Sequence, residues 1–202
     1  MSGFVKVCGI TTVDAVAAAV ESGVDACGFV FAPSARLIGP MRAALLADDL
    51  PARVKRVAVF RHPPRGWIET VLADFPADWV QSDAEDLDGL TFPNVEPLPV
   101  VRAGSVLPES VPARMLFEGP HSGSGAVTDW KAAARLARRT SLMLAGGLTA
   151  ENVGEAVRAV RPWGVDVSTG VERERGVKDP ERVAAFVSAA RRAFAELKEN
   201  GA

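Results

Sequence analysis

The chain has no tyrosine, only two cysteines and two histidines, and no apolar run near the roughly 18 residues that a membrane-spanning helix needs. Each scarcity closes off a class of function. Cys8 and Cys27 fit no zinc-ligand spacing and are too few for a disulfide framework. They read as buried thiols in a reducing compartment, and no metal is expected. Charge of one sign is not in excess either. The 23 Lys and Arg residues face 25 Asp and Glu, a formal net charge of −2, which argues against a nucleic-acid partner. No basic and apolar leader opens the sequence, so neither export nor a membrane partner is expected, and the expected location is the cytoplasm.

What the chain does have is short apolar runs alternating with stretches of helical spacing. Its 202 residues suffice for one well-buried core, and a single domain over 1–202 is expected. Strands are predicted at 4–10, 26–31, 54–60, 78–81, 95–101, 114–118, 141–145 and 165–168. Thr11 or Thr12 caps the first helix and Gly23 stops it; Pro40 opens the second. Thr149, with Glu151 after it, begins the helix that follows the seventh strand, and Asp179-Pro180 opens a long last helix to about Leu197. The middle is weakest. An acidic helix over 84–90 is poorly defined, the strand at 95–101 contains Pro97 and Pro99, and the helix near 108–111 has room for only a turn. Eight alternations at parallel-crossover spacing predict an α/β fold, a single (β/α)8 TIM barrel rather than an open doubly wound sheet.

In such a barrel, chemistry sits where strands end. Gly146-Gly147 after the seventh strand and Ser168-Thr169-Gly170 after the eighth offer close backbone approach and hydroxyl donors in adjacent loops, a pattern suited to a phosphate. Gly123-Ser124-Gly125 after the sixth strand is weaker, a lid or only a turn. Four ionisable side chains lie at or just past strand ends: Cys8, Arg36, Glu118 and Asp166. A carboxylic acid and a second acid–base group around a phosphate suit proton transfer on a phosphosugar. Arg36 is either a bidentate clamp for a carboxylate or a solvated arginine. Asp166 is either a site residue or an acceptor for loop N–H groups.

These residues carry a family likeness along nearly the whole chain. Val5-Lys6-Val7-Cys8-Gly9-Ile10-Thr11, Cys27 to Phe31 with Ser34 and Arg36, and Ser122 to Gly125 with Asp129-Trp130 form the first half of it. Leu144 to Leu148 with Glu151-Asn152-Val153, and Val165 to Glu172 with Gly176 and Lys178-Asp179, form the second. In this order they resemble phosphoribosylanthranilate isomerase, a (β/α)8 enzyme of tryptophan biosynthesis. The resemblance implies an Amadori rearrangement of N-(5-phosphoribosyl)anthranilate, a phosphosugar with an anthranilate moiety, without metal or cofactor, by a monomer or homodimer. It implies that Cys8 is the base, that Arg36 holds the anthranilate carboxylate, that Gly146, Gly147, Ser168, Thr169 and Gly170 cradle the phosphate, and that Asp166 lies near the sugar. The family's general acid is an aspartate where this chain has Glu118. After the fourth strand the usual Gln-Leu-His-Gly is replaced by Gln81-Ser82-Asp83-Ala84, and Arg61-His62 replaces a small or polar pair. Glu118, His121 and Asp83 are therefore all candidates for the acid. Two other readings keep the fold: an isomerase for a different aminoaldose phosphate, and a catalytically weak phosphosugar-binding barrel.

Overall fold

The computed structural model describes residues 3–105, 111–119 and 128–199. Eight parallel strands run in chain order: β1 (Phe4–Cys8), β2 (Ala26–Val30), β3 (Lys55–Val59), β4 (Trp79–Asp83), β5 (Glu96–Arg102), β6 (Arg114–Glu118), β7 (Ser141–Leu144) and β8 (Gly164–Val167). They close into a barrel when β8 pairs back onto β1, which is the predicted architecture. Helices α1 (Val13–Ser22), α2 (Pro40–Ala47), α3 (Trp67–Asp74), α4 (Trp130–Ala137), α5 (Val153–Val160) and α6 (Pro180–Glu199) follow strands one, two, three, six, seven and eight. A short hairpin, β9 (Glu172–Glu174) and β10 (Val177–Lys178), sits between β8 and α6.

Local signals account for most boundaries. The Thr12 hydroxyl accepts from the Ala15 N–H, and Gly23 ends α1 at a φ of 76°. Asp179 accepts from the Glu181 and Arg182 N–H groups at the start of α6. One start differs from expectation. The helix after β7 begins at Val153, not Thr149, because Asn152 spans the turn: its Oδ1 accepts from Thr149 N at 2.8 Å and its Nδ2 donates to Gly147 O at 2.8 Å.

The expected helix over 84–90 is a three-residue 3-10 turn, Ala84–Asp86, and 108–110 lie outside the described residues. Its charges, Glu85 and Asp86 with Asp88 beyond, offer no apolar stripe to bind a helix against the sheet. The outer side of β5, with Pro97, Pro99 and Val101, consequently lines a groove of about 1180 Å³. The prolines are tolerated for a register reason. Glu96 N donates to Asp78 O on the β4 side and Ala103 N to Glu118 O on the β6 side. Backbone groups alternate sides along a strand, so both prolines turn toward β6, whose pairing begins only at Val100. The outward face is not uniformly polar: Met41 and Leu45 of α2, with Leu37 before it, are 73%, 71% and 55% exposed.

Inside the barrel, alternate residues form its own core of Ala26, Val57, Trp79, Leu98, Leu116 and Met143. Stacked Phe4 and Trp163, centroids 4.5 Å apart, plug the end where strands begin, and the Arg114 guanidinium lies 4.8 Å from the Trp79 ring. Within the barrel this leaves the C-terminal end of the strands open for a site.

Candidate active site

The closing register brings distant charges together. Pairing of β1 with β8 sets Lys6 beside Asp166, and pairing of β1 with β2 sets Cys8 beside Gly28. Lys6 is fully buried, and its Nζ donates to Asp166 Oδ1 at 2.8 Å. Burial alone works to lower the Lys6 ammonium, but the Asp166 carboxylate and the Cys8 sulfur outweigh it and hold Lys6 above the ordinary lysine range. Burial pushes the Cys8 thiol up, against the pull of Lys6. Cys27 faces the other way, into the core between sheet and helices, where burial raises its thiol to about 12. It is the inert structural thiol of the two.

A second cluster joins the loops after β2 and β8. Arg36 is buried at 7% exposure and grips Glu172 with both prongs, Nε to Oε1 at 2.7 Å and Nη2 to Oε2 at 2.8 Å. Its Nη2 also donates to Thr169 Oγ1 at 3.0 Å. Lys178 closes the cluster from β10, donating to Glu172 Oε1 at 2.8 Å and Ser168 O at 3.0 Å. Burial opposes the charge on Glu172, but Arg36 and then Lys178 overcome it and hold the carboxyl at about 2. Burial depresses the Lys178 ammonium, against Glu172. Arg36 is thus no solvated arginine. Its Nη1 is the guanidinium nitrogen without a partner among the described residues, so it can still reach one oxygen of an added carboxylate.

Two turns meet next to this cluster. Gly146 and Gly147 have φ of 92° and 65°, a conformation side chains resist, and a Cβ on Gly170 would stand 2.0 Å from Leu148 O. The loops after β7 and β8 are therefore packed backbone to backbone where Gly170 meets Leu148.

Across the mouth lies a third group. Glu118 ends β6 and Arg102 ends β5; Arg102 Nη1 reaches Glu118 Oε2 at 3.2 Å and its Nη2 reaches Asp83 Oδ1 at 2.6 Å. Asp83 also meets His62 Nε2 at 3.3 Å, and His62 Nδ1 lies 3.1 Å from Asp86 Oδ1. Asp83 is buried, with Arg102 and His62 flanking its carboxylate. His121 and Gly123-Ser124-Gly125 lie outside the described residues.

Cys8, Arg36, Asp166, Ser168, Thr169 and the three loop glycines gather on one side of the mouth, with Glu118 facing them from β6. The sequence reading assigned no role to Lys6, Glu172, Lys178 or Arg102. Lys6 had a visible signal, a lysine at an inward position of an otherwise apolar strand, in step with Cys8. Glu172 and Lys178 stand within the family likeness but carry no role there, and Arg102 has no signal, because Arg36 reaches Glu172 from another loop and Asp83 and Glu118 reach Arg102 from neighbouring strands.

Known proteins resemble this chain along nearly its whole length. Residues 5–189 match the family model for N-(5'-phosphoribosyl)anthranilate (PRA) isomerase. An N-(5'-phosphoribosyl)anthranilate isomerase of Roseiflexus sp. (strain RS-1) is 39% identical, over 94% of this chain and 98% of that protein. The dimeric phosphoribosylanthranilate isomerase of Thermotoga maritima, solved as generated monomers, is 31% identical with a TM-score of 0.77, covering 93% of this chain and 98% of that one. A phosphoribosyl anthranilate isomerase in complex with reduced 1-(o-carboxyphenylamino)-1-deoxyribulose 5-phosphate is 30% identical with a TM-score of 0.76, again over 93% and 98%. Among the described residues no helix is long and apolar enough to cross a membrane. The chain belongs to the N-(5'-phosphoribosyl)anthranilate isomerase family.

Proposed function

We propose that the chain converts N-(5-phosphoribosyl)anthranilate to 1-(2-carboxyphenylamino)-1-deoxyribulose 5-phosphate in the cytoplasm by general acid–base catalysis. The observation that carries this reading is the placement of Cys8 and Glu118 at strand ends on facing sides of one mouth, beside the paired loops of Gly146-Gly147 and Ser168-Thr169-Gly170. In this reading the phosphate rests against those loops, and Arg36 Nη1 meets the anthranilate carboxylate. Glu118 protonates the ring oxygen, the C1–O bond breaks, and the nitrogen lone pair forms the C1=N iminium. The Cys8 thiolate then takes the proton from C2. The C–H electron pair becomes the C1=C2 bond, the nitrogen regains its lone pair, and the enol tautomerises to the ketone. No step calls for a metal or a redox cofactor.

Steady-state turnover of freshly generated phosphoribosylanthranilate, followed by loss of its fluorescence in metal-free buffer, tests the assignment. Cys8→Ser and Glu118→Gln are each expected to lower kcat by at least ~100-fold with the ligand still bound, and Glu118→Asp to retain turnover. Full activity of Glu118→Gln would remove Glu118 from the acid role.

A further inference from the structure

Lys6 has no task in the reaction just described, yet it is a fully buried cation inside the barrel. A buried ammonium–carboxylate pair is commonly no more stable than apolar residues of the same size, so stability alone does not explain Lys6 and Asp166 at the centre of the β1–β8 seam. Its position relative to Cys8 does. A Cβ on Gly28 would stand 2.9 Å from Cys8 Sγ and 3.1 Å from Lys6 Nζ, so sulfur and ammonium converge on one point over that glycine. We propose that Lys6 is a positioning residue for proton abstraction: anchored by Asp166, its ammonium sits beside the Cys8 sulfur over Gly28 and supplies the charge against which that sulfur works as a base. The inference rests on Cys8 being the base and adds what makes it one.

Charges facing Cys8 come from several elements: Lys6 on β1, Asp166 on β8, Lys178 on β10 and Arg36 in the loop after β2. Burial opposes the thiolate most strongly, and Lys6 is the largest influence in its favour, ahead of the opposing Asp166 carboxylate. Lys6 keeps its proton because both neighbours hold it there. It therefore acts as a fixed cation and neither gives nor takes a proton in the reaction.

The test measures Cys8 twice, without and with substrate. The rate of Cys8 alkylation by iodoacetamide is followed against pH, with the Cys8 and Cys27 peptides separated by mass spectrometry, and kcat is followed over the same pH range. In Lys6→Met the alkylation midpoint is expected to rise by at least ~1 pH unit, with kcat at pH 7 at least ~10-fold lower and recovering in step as pH rises. Should Lys6→Met leave Asp166 unpaired and the chain unfolded, the Lys6→Met/Asp166→Asn pair removes both charges, and the same upward shift is expected. A folded variant whose midpoint stays at the wild-type pH would overturn the inference. So would a lower kcat with an unchanged pH profile, or a shifted midpoint with unchanged turnover. Turnover that survives Cys8→Ser would instead sink the assignment of Cys8 itself, leaving the alkylation result as a separate fact.

Discussion

Glutamine at position 172 would keep the shape of the side chain and remove a single charge, which isolates what holds the loops after β2 and β8 together. In the native chain that carboxylate takes both prongs of Arg36 and the ammonium of Lys178, at 2.7 to 2.8 Å, with its side chain 2% exposed. A carboxyl held at about 2 instead of 4.5 owes roughly 3 kcal/mol to its folded partners. Removing one member of a buried pair costs about 3–5 kcal/mol, the same order by an independent route. Glu172→Gln is therefore expected to lower unfolding free energy at pH 7 by about 3 kcal/mol, or roughly 6–12 °C in Tm. The sign of the pH dependence follows from the depressed carboxyl. Its contribution is complete above the unfolded value near 4.5, and more than half is lost by pH 3 as the pH falls toward 2. Urea unfolding of both chains from pH 7 to pH 3 reads this directly: a difference of about 3 kcal/mol that shrinks on acidification. A difference under 1 kcal/mol at pH 7, or one of constant size down to pH 3, would refute the reasoning. Arg36 also loses its orienting partner, so KM is expected to rise with kcat less affected.

Further predictions follow from the same contacts. Gly28→Ala places a methyl group against Cys8 Sγ and Lys6 Nζ, and should cost at least ~10-fold in kcat with the circular dichroism spectrum unchanged; turnover within threefold of wild type would show that the thiol tolerates displacement. Arg102→Met takes the guanidinium away from the buried Asp83 and is expected to lower stability by about 3 kcal/mol in thermal unfolding, with most of it recovered in Arg102→Met/Asp83→Asn. Asp179→Ala removes two N-terminal hydrogen bonds of α6 and should cost about 1 kcal/mol in a denaturant titration, without touching KM.

Much of this protein is legible in its amino-acid order, because the forces concerned act over a few residues. Apolar alternation located all eight strands, including β5 despite Pro97 and Pro99, and side-chain caps at Thr12 and Asp179 marked helix starts. The same local logic put Cys8, Glu118 and the loop glycines at strand ends. It overreached at 84–90, where helix-compatible residues lack an apolar stripe, and at Thr149, where the Asn152 side chain bridges the turn and delays α5 to Val153. What only the tertiary structure decided are the pairings across long separations. Lys6 meets Asp166 across 160 residues and Arg36 meets Glu172 across 136, while Arg102 stands between two carboxylates from neighbouring strands. Each of these depends on barrel closure and register, to which every strand contributes at once, and a one-residue slip would have turned Lys6 out of the barrel.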